Sequence, residues 1–114
     1  MDTYEARTQM LELARDALGI VAALEASNVP TGEDRRRLRS MLTEARSALA
    51  DAGYPAEAVW RAVQRASMGT DTSLDQADPM FWHDVADELR AAMETLESLV
   101  SPHFRRESDF YIVG

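Results

Sequence analysis

Cysteine and lysine are both missing from this chain of 114 residues, and each absence removes a class of chemistry. Without thiols there is no disulfide framework, no thiolate metal site and no cysteine nucleophile. Without lysine there is no phosphate-loop lysine, no Schiff base and no serine–lysine dyad. All 12 basic residues are arginine, a bias that points to a GC-rich bacterial or phage genome. Glycine-rich phosphate loops, a Gly-x-Ser-x-Gly elbow and internal repeats are absent too. No apolar run approaches the roughly 20 residues that span a bilayer. The opening MDTYEARTQM has neither the basic nor the apolar region of a signal peptide, so the expected compartment is the cytoplasm. Basic residues are also few beside 20 acids, and a net charge of -8 argues against direct nucleic-acid binding, which draws its affinity from counterion release at a basic face.

What the chain has in quantity is helical periodicity. From Asp78 to Ser101, Trp82, Val85, Leu89, Ala92/Met93, Leu96 and Leu99/Val100 recur at steps of three and four, with acids on the other positions. Residues 3–27 repeat the pattern through Met10, Ala14, Ala17, Val21 and Leu24, flanked by Leu11, Leu13, Leu18 and Ile20. So wide a stripe expects contact on two sides, from other helices or from a second copy of the chain. Residues 32–52 bury Leu38, Met41/Leu42, Ala45, Ala48/Leu49 and Ala52; residues 55–68 bury Val59, Trp60, Val63, Ala66 and Ser67. Asp2 or Thr3 caps the first helix, Thr31 and Asp34 form a capping box for the second, and Gly53 stands at a left-handed C-cap. Gly69 ends the third helix. Asp78-Pro79 opens the last, and Ser101-Pro102 closes it. Gly19 reads either as a close helix approach or as a tolerated surface glycine. The fold class is all-α: one domain, a four-helix antiparallel bundle over 3–27, 32–52, 55–68 and 79–101, with a short third helix and an apolar C-terminal tail over 102–114.

Charge is unevenly placed. Between Asp71 and Glu97 there are 8 acids against Arg90 alone. On a helix, Asp84, Asp87/Glu88 and Glu94 lie opposite the apolar seam. Together with Glu97, and with Phe110 and Tyr111 of the tail, they are the candidate partner-binding residues; the plain alternative for the acids is a solvated helix face. His83 and Asp87 form a weak metal half-site, for which Glu12/Asp16 could supply the other half, but the Glu-x-x-His of di-metal bundles is absent. Arg35, Arg36, Arg37 and Arg39 could grip a phosphate or an acidic peptide, or be neutralised internally by Glu33, Asp34 and the acidic last helix. No catalytic constellation and no cofactor motif is present. The expected function is a small acidic protein-binding module, of the inhibitor, antitoxin or anti-defence kind, docking on a partner with a basic surface and not on nucleic acid or membrane. The alternatives are a metal-dependent all-α hydrolase acting on nucleotides and a structural homodimer built on the wide stripe of the first helix.

Overall fold

Local capping chemistry sets where the helices begin. In the computed structural model they are α1 (Thr3–Ser27), α2 (Gly32–Ala52), α3 (Tyr54–Asp71) and α4 (Phe81–Val113). Residues 2–27, 29–71 and 80–113 are described, with 55, 71 and 101–113 by backbone only; Asp78 and Pro79 lie outside them. Asp2 is the first cap, its carboxylate accepting from the Glu5 amide at 2.7 Å. The capping box at Thr31 is complete: the Asp34 amide donates to the Thr31 hydroxyl and the Thr31 amide to the Asp34 carboxylate, both at 3.1 Å.

Cross-helix contacts fix the directions. Arg7, early in α1, donates to the carbonyl of Ala52 at the end of α2 at 3.0 Å. Arg35, early in α2, donates twice to the carbonyl of Thr70 near the end of α3, at 3.1 and 2.8 Å. Arg65, late in α3, pairs with Glu88 early in α4, and Glu25, late in α1, with His83 early in α4. Successive helices are therefore antiparallel, as α4 is to α1. Each packs on its sequence neighbours, α4 closes on α1, and α1 reaches α3 across the centre. α2 and α4 stand at opposite corners.

The seams meet inside. Trp82, Val85, Leu89, Ala92, Leu96 and Val100 of α4 are buried, with Ala86 beside them, and so is the α1 stripe from Ala6 to Leu24. Contact with three other helices accounts for the width of that stripe within one chain. Leu38, Ala45, Ala48 and Ala52 face inward from α2, and Ala56, Val59, Ala62, Val63 and Ala66 from α3; Trp60 packs half-buried at the edge.

Three punctuation marks behave differently from expectation. Gly69 does not end α3, which continues to Asp71. A Cβ there would lie 3.1 Å from Trp82 and closer still to Phe81, so this glycine lets the last turn of α3 sit directly on the rings that begin α4. Pro102 does not end α4 either, which continues to Val113, so residues 102–113 are helical backbone rather than a separate tail. Proline removes one amide and crowds the carbonyl four residues back, yet hydrogen bonds on either side of the gap keep the helix going. Gly53 has the positive φ expected of a C-cap, 82°, but with ψ at -169° it is extended rather than left-handed helical. That region is essentially closed to residues with a Cβ. Gly19 is exposed, with nothing within 4 Å of an added Cβ, which decides for the tolerated surface glycine.

The same substitution should therefore act in opposite directions at two sites. Gly19→Ala is expected to stabilise the fold by about 0.5–1 kcal/mol through helix propensity. Gly69→Ala should destabilise it by about 1–3 kcal/mol through overpacking, and Gly53→Ala by a similar ~1–3 kcal/mol through strain. Urea midpoints of the three variants against wild type check all three signs.

Candidate partner-binding face

The outer side of α4 is the face that no other described helix covers. Asp84, Asp87, Glu88 and Glu94 are exposed along it, and Glu97 is half-buried at its edge. Their surroundings differ according to which neighbour each leans toward. Glu88 faces α3 and pairs with Arg65. Glu97 faces α1 and lies 3.6 Å from Arg15. Asp87 lies 3.2 Å from Arg90 and 3.3 Å from His83 Nε2. Asp84 and Glu94 are exposed and form no ion pair among the described residues. Phe110 and Tyr111 belong to the backbone of α4, but their side chains lie outside the described residues.

His83 ties α4 to α1. Its Nδ1 lies 3.0 Å from the Glu25 carboxylate while Nε2 faces Asp87. A neutral imidazole has one N–H and can donate to only one of the two; the imidazolium donates to both. The hydrogen bond to Glu25 and then the charge of Asp87 accordingly raise the His83 pKa above its usual 6.5.

The helix register separates the two halves of the conceivable metal site. His83 stands opposite Glu25, and Arg15 opposite Glu97, so at about 1.5 Å per residue Glu12 and Asp16 are about 14–20 Å along the bundle from His83 and about 8–14 Å from Asp87. Among the described residues no group of three or more His, Asp or Glu side chains is placed to hold a metal ion, and none of their helices is long and apolar enough to cross a membrane. The arginine cluster also divides. Arg35 is half-buried on the Thr70 carbonyl, while Arg36, Arg37 and Arg39 are exposed on α2. The acidic helix α4 stands at the opposite corner of the bundle from them.

One feature escaped the sequence. Between α3 and α4 runs an open groove of about 550 Å³, floored by Ala58, Ala91 and Ala92 and ending at Tyr54, which is 86% exposed. The ion pairs Glu57–Arg61, at 2.7 Å, and Arg65–Glu88 form its rim. The only sequence signal was small residues on the mutually facing sides of two helices, and that signal depends on knowing the register.

A raised folded-state pKa on His83 fixes the sign of a pH effect. Its contribution to stability is fully present below the unfolded value of 6.5 and is lost as pH rises through the folded value. Wild type is expected to lose unfolding midpoint over that window relative to His83→Gln, and an NMR titration of the His83 ring should give a midpoint above the free value. Comparison with protein-family models, curated proteins and solved structures gives no match, so the functional reading rests on these residues and their placement.

Proposed function

We propose that this chain is a non-enzymatic protein-binding module, a cytoplasmic inhibitor or antitoxin-like protein, that sets the acidic outer face of α4 against a basic surface of its partner. The observation that carries this reading is the uncovered row of carboxylates on α4, with Asp84 and Glu94 exposed and in no ion pair among the described residues. The other acids do not oppose docking. Their ion pairs are exposed, and exposed pairs contribute only about 0–1 kcal/mol, so Asp87 and Glu88 can exchange an internal arginine for a partner's at little cost. Complementary charge would steer encounter and fix orientation, with the apolar edge of the α3/α4 groove adding contact area beside it.

The test is binding by a neutralised chain. Asp84→Asn, Asp87→Asn, Glu88→Gln and Glu94→Gln together remove the charge of the row, and circular dichroism confirms that the helices remain. A partner recovered with wild type from the source cell should bind the variant at least about tenfold more weakly, which corresponds to roughly 1.4 kcal/mol. Its wild-type affinity should also fall as salt rises. Equal affinity for both proteins would overturn the proposal.

A further inference from the structure

Helices α2 and α4 carry the same spacing with opposite charge. On α4 the outward positions Asp84, Asp87, Ala91 and Glu94 follow at steps of three, four and three; on α2, Arg36, Arg39, Thr43 and Arg46 follow at the same steps. All eight residues are exposed. Alternating steps of three and four keep side chains on one helix face, so each row is a straight line of charge about 15 Å long. Asp84, Glu94, Arg36 and Arg46 form no ion pair among the described residues, the contacts of Asp87 with His83 and Arg90 are exposed ones of 3.3 and 3.2 Å, and Arg39 has a contact of its own within the chain. Because α2 and α4 stand at opposite corners, the two rows of one chain cannot meet.

We propose that the basic surface received by α4 is the α2 face of a second copy of this chain, so that copies associate head to tail; this rests on the reading of α4 as a docking face. Row on row, each acid meets an arginine. Arginine suits the role because its planar fork takes a carboxylate through two parallel hydrogen bonds. The third position of each row, Thr43 and Ala91, is small, which leaves room beside it for the arginine side chains. The match requires the two helices to run parallel, with Asp84 on Arg36, Asp87 on Arg39 and Glu94 on Arg46; run antiparallel, Asp87 would face Thr43 and Arg39 would face Ala91. Since the two faces differ, one contact leaves a free α2 face on one copy and a free α4 face on the other, and growth continues beyond the pair. The net charge of -8 on each copy opposes approach from a distance. At about 0.1 M salt, with a Debye length near 10 Å, that repulsion is screened more than the contact itself; at about 1 M, with a length near 3 Å, the contact is weakened too.

Sedimentation velocity of the purified full chain tests this. Wild type at about 0.1 M salt should shift with concentration to dimers and longer species, and return to monomer at about 1 M. Two variants, one with Asp84→Asn, Asp87→Asn and Glu94→Gln and one with Arg36→Gln, Arg39→Gln and Arg46→Gln, should each sediment as monomers. Mixed in equal amounts they should form a dimer and stop there, because each keeps one of the two faces. The single substitutions Glu94→Gln and Arg46→Gln serve the same test if a triple variant loses helix content. A wild-type monomer at every concentration, or a mixture that does not dimerise, overturns self-docking. If in that case the neutralised α4 still loses a foreign partner, the wider reading of α4 stands; if it loses none, both fall.

Discussion

An interior lined largely with alanine is the constraint on which the rest of this bundle depends. Of the 25 buried apolar residues among those described, 11 are alanine. Alanine on facing helices brings the axes toward the near end of the usual range of separations and leaves little volume for longer side chains between them. The large residues alternate with the alanines along each seam, Met10 between Ala6 and Ala14, and Leu89 between Ala86 and Ala92. Trp82 is buried against the last turn of α3 because Gly69 has no Cβ there, and Met10, Leu24, Leu38, Leu89 and Leu96 fill what remains. Close axes also put the rims of neighbouring helices within reach of each other, and the polar contacts form there.

Those rim contacts use the antiparallel arrangement itself. An arginine in the first turns of a helix lies at the positive end of that helix's dipole, a disfavoured place. In an antiparallel neighbour the same level holds the negative end, with carbonyls that have no partner within their own helix. Arg7 on the Ala52 carbonyl and Arg35 on the Thr70 carbonyl both make that exchange. They resolve an apparent conflict in the sequence, where four arginines crowd the start of α2, by giving one of them to the end of α3 and leaving the others on the surface.

Local signals were legible and register was not. The capping box at Thr31, the cap at Asp2 and the positive φ at Gly53 each depend on a few adjacent residues, and periodicity placed the seams of α1 and α4 with no knowledge of their partners. Gly69 read as a helix end and Gly19 as an interior glycine, yet both lie inside helices. One is held against Phe81 and Trp82 and the other faces open space, a difference made entirely by residues distant in the chain. Pro102 failed as a stop because a single missing amide does not outweigh a helix that is continuous on both sides of it. Glu12/Asp16 and His83/Asp87 looked like two halves of one site because each has the right internal spacing. Only the antiparallel register, which sets His83 against Glu25, shows that they belong to different levels of the bundle.

The same register gives the surface its polarity. In an up-down bundle, helices next to each other in sequence are next to each other in space, and helices two apart are diagonal. Charge that is segregated between the second and fourth helices of such a chain is therefore segregated between opposite edges of the molecule. The acids of α4 have no arginine-rich neighbour to absorb them fully, since α1 and α3 supply Arg15 and Arg65 to its flanks and nothing to its centre. An outward row at Asp84 and Glu94 follows from fold topology combined with sequence order, and so does the arginine row on the far side. Had the arginines of α2 been placed on α3, the two sets would have paired across a shared groove as Arg65 and Glu88 do, and neither edge would carry charge for another molecule to meet.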